Sequence, residues 1–264
     1  MPARVVQYIG ITGFTSRMAV EFALSQFSHT VPQKLMVGVL ASWKSLRGLP
    51  MREYWQQQTP RAKDVPELFL NDPRVLNLVH YSADNSAHER SVLWKDLAKI
   101  QETAGLNFHG FQLNLAWPPV YVLDEWRAVF GYKHTIVLQV GRDAILAVDG
   151  HPRKLAEMLK HYGGVVDYML FDMSGGEGRT LDVSKALPIL DVIHEVAAAS
   201  ATKVSVAGGL EPDTLHLLEP ILKRYPDISW DAQKGVRDAD NNLDSSRVKK
   251  YLERSLAMTS IGRA

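Results

Sequence analysis

Short apolar segments alternate with segments of helical spacing along the whole chain, and no other feature of the sequence constrains the fold as strongly. Each apolar segment is about four to eight residues long, which is the length of a buried strand rather than of a helix. Strict alternation of strands and helices is typical of a parallel sheet covered by helices. The eight predicted strands are residues 4–9, 35–40, 74–80, 108–115, 135–140, 165–171, 203–206 and 227–231.

Eight strand–helix units in a chain of 264 residues predict a single α/β domain, a (β/α)8 or TIM barrel over residues 1–264. Such barrels take about 250 residues. Helical periodicity at residues 87–104, 183–199 and 245–256 agrees with this pattern. An open doubly wound sheet is the alternative. No GxGxxG pattern of a dinucleotide site follows the first strand, so we expect no bound cofactor.

The charge balance and the absent residue types exclude several classes of partner. Lys and Arg number 30 and Asp and Glu number 29, which predicts no affinity for nucleic acid or a membrane surface. No run of about 18 apolar residues is present, and the N-terminus lacks a signal-peptide layout, so we expect a cytoplasmic protein. The chain has no cysteine and no HExxH pair, which excludes thiol nucleophiles and predicts no metal site. The oligomeric state stays open.

Two strand ends late in the chain predict an anion site. The seventh strand runs into Gly208 and Gly209, and Pro212 is suited to begin a helix over residues 212–222. The eighth strand ends at Gly235, with Lys234 beside it. Glycines let a ligand approach the backbone closely, and the ends of strands seven and eight hold phosphate in many (β/α)8 barrels. We therefore predict that these junctions bind a phosphorylated small molecule.

Asp172 is the strongest candidate for a catalytic group. It ends an apolar strand and precedes a glycine-rich loop that contains Gly176. A carboxyl group at an apolar rim can have a raised pKa and serve as a general acid. A solvated aspartate that opens a turn with Ser174 is the alternative. Asp231, at the end of the eighth strand, is a second carboxyl candidate.

Other polar side chains near predicted strand ends are weaker candidates. Arg47 could bind a carboxylate through both guanidinium nitrogens, although a solvated loop arginine is equally consistent with the sequence. Lys234 could form a Schiff base if it is buried. His80 ends a strand, but a lone histidine is more often a satisfied core or rim residue. The polar stretch 42–64 is longer than most such loops, which is typical of a functional segment, and a short helix fits at 51–58.

Several of these pieces resemble phosphoribosylanthranilate isomerase, the Amadori isomerase of tryptophan biosynthesis. The family's AGGL stands intact at residues 207–210, and its aspartate before a GGTG-like loop corresponds to Asp172. The weaker matches are VQYIGIT at 6–12 for VKICGIT, KSLR at 44–47 for KSPR, FQLN at 111–114 for VQLHG, and DAQKGVR at 231–237 for DVSSGVE. The resemblance spans the whole chain.

The resemblance implies an intramolecular oxidoreductase, an aldose–ketose isomerase acting on a phosphorylated sugar or sugar–amine conjugate. It implies that Asp172 is the general acid and that Arg47 meets a substrate carboxylate. It implies that Gly208, Gly209 and Gly235 hold the phosphate through backbone N–H groups, and Gly176 and Lys234 are further candidate binding residues.

The chain departs from the family at the catalytic base. The family's cysteine is replaced by Ile9, its QLHG histidine by Asn114 and one phosphate-loop serine by Lys234. Loss of a general base removes about 10²–10⁴-fold in rate, so another group must act as the base if the chain is an enzyme. Asp231 is the candidate. A Schiff-base lyase or aldolase using Lys234, and a non-catalytic barrel that binds a phosphometabolite, remain alternatives.

Overall fold

A computed structural model describes residues 6–174 and 179–261 and contains a closed barrel of eight parallel strands. Each strand pairs with the next in sequence, and the last pairs with the first, which confirms the predicted (β/α)8 barrel. No helix in these two ranges combines the length and the apolar character needed to cross a membrane. The strands are β1 (Tyr8–Thr12), β2 (Lys34–Ser42), β3 (Val75–Ser82), β4 (Gly110–Asn114), β5 (Thr135–Gly141), β6 (Tyr168–Asp172), β7 (Lys203–Ala207) and β8 (Ser229–Ala232).

Helices follow the strands and enclose the barrel. Five of the eleven α-helices in the described residues begin at a side-chain cap, such as Asp182, whose carboxylate accepts the backbone N–H of Lys185. The α-helices are α1 (Arg17–Ser25), α2 (Trp43–Leu46), α3 (Glu53–Gln58), α4 (Val65–Leu68), α5 (Ala87–Thr103), α6 (Val120–Phe130), α7 (Arg142–Leu146), α8 (Pro152–Lys160), α9 (Val183–Ala199), α10 (Glu219–Arg224) and α11 (Ser245–Met258).

The prediction of a helix at 212–222 is wrong for the first half of that range. The chain instead turns after Gly209, where the Thr214 hydroxyl accepts the Glu211 N–H and donates to the Gly209 carbonyl. A 3-10 helix at Leu215–Leu218 follows, and α10 begins only at Glu219. Proline favours a first helical turn, but here Pro220 takes that position.

Alternation along each strand divides the core into two layers. Ile9 and Ile11 belong to the large apolar cluster that also contains the helix side chains, whereas Tyr8 belongs to a small cluster inside the barrel. The first strand was predicted to end before Gly10, but Gly10 lies within β1. Ile9 therefore faces the helices, away from the centre of the barrel.

The polar stretch 42–64, called the cover segment below, lies over the carboxyl end of the strands. It contains α2, α3 and a 3-10 helix at Ala62–Asp64, so the predicted short helix is present as Glu53–Gln58. Gln58 is fully buried. Its amide donates to Asn241 Oδ1 at 2.9 Å and accepts from Gln233 Nε2 at 2.7 Å. These two bonds hold the cover segment to the connection that follows β8.

Candidate functional site

The carboxyl end of the barrel, called the mouth below, is where the inward-facing side chains change from apolar to polar. Parallel strands bring all their carboxyl ends to one end of the barrel, which is where (β/α)8 enzymes bind substrate. Strand register pairs His80 with Gln112 and Asp172 with Ala207 at this level. The buried or partly buried inward polar residues here are Thr12, His80, Gln112, Gln139, Asp172 and Asp231.

Asp172 occupies the centre of the mouth at the last position of β6. Its Oδ2 accepts from Gln139 Nε2 at 2.9 Å, and its Oδ1 accepts from the Ser174 N–H at 2.8 Å and hydroxyl at 2.7 Å. Burial raises the pKa of Asp172, and the Ser174 hydrogen bonds act in the opposite direction. Asp172 thus makes the turn with Ser174 that the sequence allowed and also lines three cavities at the mouth.

Asp231 is the second carboxyl group of the mouth, and it is more deeply buried. Ala207 of β7 lies between the two carboxyl groups. It pairs with Asp172 of β6, and the residue before it, Val206, pairs with Trp230, which precedes Asp231 in β8. Its Oδ2 has no hydrogen-bond partner within the described residues. Burial and then the charge of Asp172 raise the pKa of Asp231 to about 8. At neutral pH Asp231 is therefore mostly protonated, which favours a proton donor over the base expected from the sequence.

Gly10 makes room for Asp231. The two residues pair in the β1–β8 ladder. A Cβ atom on Gly10 would lie 2.5 Å from Asp231 Cβ and 2.5 Å from the Met36 methyl group, both closer than packing allows. The glycine of the first strand is therefore required by the position of the buried carboxyl group.

The junctions after β7 and β8 lie against each other at the mouth, as predicted. A Cβ on Gly235 would lie 2.3 Å from the Leu210 carbonyl oxygen and 2.5 Å from Glu211 Cβ. Both junctions line a cavity of about 40 Å³ that also contains Asp172 and Asp231. The glycine backbone and the two carboxyl groups are thus neighbours in one site.

Gly208 and Gly209 both have positive φ, at 104° and 65°. A Cβ on Gly208 would lie 2.9 Å from Asp172 Oδ1, and one on Gly209 would lie 2.0 Å from the Arg179 carbonyl oxygen, so both positions need glycine. In residues 6–174 and 179–261, neither glycine donates its backbone N–H to another group. Gly176, the remaining predicted binding glycine, lies outside the described residues.

Lys234 lines the same small cavity but is exposed. A Schiff-base lysine is normally activated by desolvation or by a neighbouring cation, and an exposed ammonium group is strongly hydrated. The placement of Lys234 suits charge attraction at the rim of the site better than imine formation.

The structure does not bring Arg47 to the mouth. Its guanidinium donates to both carboxylate oxygens of Glu89, at 2.7 and 2.9 Å, and to Asp96 Oδ2 at 3.0 Å. Glu89 and Asp96 are buried on α5, and buried carboxylates need a cationic partner. The predicted contact between Arg47 and a substrate carboxylate therefore has no support in this geometry.

A wider cleft opens beside Asp172 beneath the cover segment, with a volume of about 390 Å³. Trp43 and Trp55 contribute aromatic surface, and Lys44 and Arg52 contribute positive charge. Asn114 and Gln139 line the opposite side. Asn114 stands where phosphoribosylanthranilate isomerases have a histidine. Sequence reasoning missed both tryptophans and both glutamines, although Gln112 and Gln139 each stand between apolar residues of a predicted strand, which was a signal for them.

No protein-family model matches the chain, and no curated protein sequence matches it. Among solved structures, it is similar to active domain 2 of a thermostable chitinase from Pyrococcus furiosus, with 10% identity, coverage of 97% of this chain and 96% of that chain, and a TM-score of 0.58. An orotidine 5'-monophosphate decarboxylase from Methanocaldococcus jannaschii matches with 10% identity, 94% and 98% coverage and a TM-score of 0.48. An enolase protein from the Sargasso Sea gives 12% identity, 88% and 55% coverage and 0.42. The similarity to the chitinase shows a shared barrel fold.

Proposed function

We propose that this protein is an acid–base isomerase that converts a phosphorylated aldose, or the corresponding sugar–amine conjugate, into the ketose form. The observation that supports this most is the pair of carboxyl groups, Asp172 and Asp231, at the mouth of the barrel. Burial and then the charge of Asp172 raise the pKa of Asp231, so Asp231 keeps its proton near neutral pH while Asp172 carries the charge. Such a pair can give one proton and accept another in a single active site.

The electrostatics favour an exchange of the roles that the sequence suggested. Protonated Asp231 gives its proton to the ring oxygen of the sugar, and the ring opens. Ionised Asp172 then removes the proton from the carbon next to the carbonyl or imine carbon. The resulting enol or enolamine becomes the ketose when Asp172 returns its proton to the former carbonyl or imine carbon and the hydroxyl group on the neighbouring carbon gives its proton to Asp231. Two protons enter the sugar and two leave it, both carboxyl groups return to their starting states, and the step needs no redox partner.

The proposal keeps the reaction class of phosphoribosylanthranilate isomerase and changes the catalytic base. The residue in place of the family's cysteine, Ile9, packs in the helix-facing layer, where no side chain could reach a substrate at the mouth. Asp172 lies at the mouth and supplies a proton acceptor from another strand. The glycine junctions at Gly208, Gly209 and Gly235 supply backbone N–H groups for the phosphate, and Lys234 adds positive charge.

The first test is proton exchange in D2O, followed by NMR with ribose 5-phosphate, glucose 6-phosphate and an N-aryl ribosylamine 5-phosphate as candidate substrates. We expect deuterium at the carbon next to the carbonyl in at least one substrate or product. Asp172→Asn should lower the rate by about 10²–10⁴-fold and leave the affinity for inorganic phosphate nearly unchanged. Asp231→Asn should lower the rate of ring opening.

The exposed carboxylate Asp240, in the connection between β8 and α11, offers a control, and Asp240→Asn should exchange at the wild-type rate. Unchanged exchange in both mouth variants would remove the carboxyl pair from the mechanism. Phosphate binding without exchange of any substrate would favour the non-catalytic binding barrel. An imine on Lys234 trapped by borohydride would favour the Schiff-base lyase.

A further inference from the structure

A group of buried polar atoms in the mouth has no hydrogen-bond partner within the described residues. The atoms are Thr12 Oγ1, His80 Nδ1, Gln112 Oε1, Gln139 Oε1 and Asp231 Oδ2. A buried polar atom without a partner lowers stability, and native proteins contain few of them. Such atoms also occur elsewhere in the described residues, but these five lie together at the mouth, where a ligand can complete their hydrogen bonds.

The strands bring four of these five residues together around one cavity, and Gln139 lines the wider cleft beside it. His80 and Gln112 are register partners on β3 and β4. Thr12 and Asp231 line the same cavity as these two residues, next to the glycine junctions. We call the surface made by Thr12, His80 and Gln112 the mouth floor. All three side chains are at least nine-tenths buried.

The chemistry of the mouth floor favours hydrogen-bond donors without a negative charge. An amide oxygen can only accept a hydrogen bond, and the threonine hydroxyl can accept or donate. Burial lowers the pKa of His80 to about 4, so its ring is neutral at pH 7 and carries no positive charge for an anion. None of the three side chains is cationic, so the floor has no charge that would hold a phosphate or carboxylate, whereas the hydroxyl groups of a polyol can donate to these atoms.

We propose that the mouth floor of Thr12, His80 and Gln112 binds neighbouring hydroxyl groups of an uncharged polyol chain. The substrate class is then a sugar monophosphate or its amine conjugate, with its hydroxylated carbons in the barrel and its single phosphate at the glycine junctions. The assignment rests on the proposed function only for the position of the phosphate. His80 and Gln112 are specificity-determining residues because they distinguish a hydroxylated chain from a deoxygenated or carboxylated one.

The test measures binding by calorimetry with xylitol 5-phosphate, which cannot isomerise, with xylitol, and with inorganic phosphate. Three variants each remove one polar group at similar volume: Thr12→Val, His80→Leu and Gln112→Met. We expect each to weaken xylitol 5-phosphate binding by roughly 3- to 10-fold, the usual effect of one hydrogen bond, and to leave inorganic phosphate binding unchanged. Without ligand, Thr12→Val and Gln112→Met should be at least as stable as the wild type, because each removes an unpaired buried atom.

His134 provides the matched control. It is also buried, its pKa is also lowered to about 4 by burial, and its Nδ1 also has no partner within the described residues. It packs among aromatic rings, 5.3 Å from Phe108 and 5.6 Å from Trp126, away from the mouth. His134→Leu should therefore leave the affinities for all three ligands unchanged.

Wild-type affinity for xylitol 5-phosphate and for xylitol in all three floor variants would overturn the proposal. An equal loss in His134→Leu would overturn it too, because the effect would then be structural. Failure of the wild type to bind inorganic phosphate would refute the proposed phosphate site, and absence of proton exchange would refute the isomerase. Neither result affects the comparison of xylitol affinities, so the two proposals can fail separately.

Discussion

Asp172 and Asp231 are the same residue type at two nearby strand ends, and their surroundings give them different properties. Three hydrogen-bond donors, from Gln139 and Ser174, meet the carboxylate of Asp172. Asp231 Oδ2 has no such partner among the described residues, so burial dominates. Hydrogen bonds to the charged form favour ionisation and burial opposes it, which is why Asp231 holds the proton.

The raised pKa of Asp231 predicts a specific dependence of stability on pH. The unfolded carboxyl ionises near pH 4, whereas the folded one keeps its proton to about pH 8. Between these values the native state binds more protons, so this group's contribution is fully present below pH 4 and is lost as the pH rises to 8. The slope is about 1.4 kcal/mol per pH unit for one group. Asp231→Asn should flatten the slope of unfolding free energy and raise stability at pH 8.

Urea unfolding at pH 5, 6, 7 and 8 measures this effect. Gln112→Met changes a neighbouring polar side chain and keeps both carboxyl groups, so it should retain the wild-type slope. A slope in Asp231→Asn equal to that of the wild type would mean that Asp231 is already ionised in the folded protein, and the proposed proton donor would be lost.

At the scale of elements, Arg47 binds carboxylates of a neighbouring helix, although its sequence motif predicted a contact with the substrate. Helix α5 buries Glu89 and Asp96 on the side that faces α2, and Arg47 follows α2 directly. Ion pairs at 2.7 and 3.0 Å join the two elements. Two buried carboxylates without a cation would be strongly destabilising, so this contact stabilises the packing of α2 on α5.

Replacement of Arg47 by methionine should lower the stability of the protein. It leaves two buried carboxylates without their cation, which costs roughly 3–5 kcal/mol in comparable ion pairs. The exposed pair between Arg17 and Glu21 is the control, and Arg17→Met should change stability by less than about 1 kcal/mol. Thermal and urea unfolding give the stabilities. A stable Arg47→Met protein with weakened substrate binding would instead support the carboxylate contact suggested by the sequence.

At the scale of the molecule, different interactions hold the closed barrel and the cover segment in place. Every strand pairs with two others, so the barrel has no free edge. The cover segment is joined to the connection after β8 by the amides of Gln58, Gln233 and Asn241. Asn241 adds a bond of 2.8 Å from its Nδ2 to the Tyr54 carbonyl. These amide bonds hold the α3 part of the cover segment, whereas the ion pairs of Arg47 hold α2.

Replacement of Gln58 by methionine should open the cover segment locally and leave the barrel intact. The change removes a hydrogen bond from each of two partly buried amides, Gln233 and Asn241, at a cost of about 0.5–1.5 kcal/mol per bond. Hydrogen exchange measured by mass spectrometry should become faster in Glu53–Gln58 and stay unchanged in the strands. Gln56→Met, at an exposed position of the same helix, is the control. Faster exchange throughout the barrel would show that the cover segment and the barrel open together.

Much of the architecture could be predicted from local patterns. Each predicted strand overlaps an observed one, because a buried parallel strand requires a short apolar run whatever its neighbours are. The strand ends were predicted less well. β1 continues through Gly10 because Gly10 pairs with Met36 of β2 and Asp231 of β8, and those two residues are far away in the sequence. The helix expected from Pro212 was displaced to Glu219 by a turn that Thr214 stabilises.

The sequence alone determined the (β/α)8 barrel and placed two glycine junctions and two aspartates at the ends of its last strands. It could do so because strand length, helical periodicity and chain order are local properties, and parallel strands bring their ends to one side. Only the tertiary structure decided that Asp231 keeps its proton, that Glu89 and Asp96 bind Arg47, and that polar atoms of β1, β3, β4, β5 and β8 have no partner in residues 6–174 and 179–261. Burial and the distances between charges depend on side chains from several strands and helices, and no local pattern contains them.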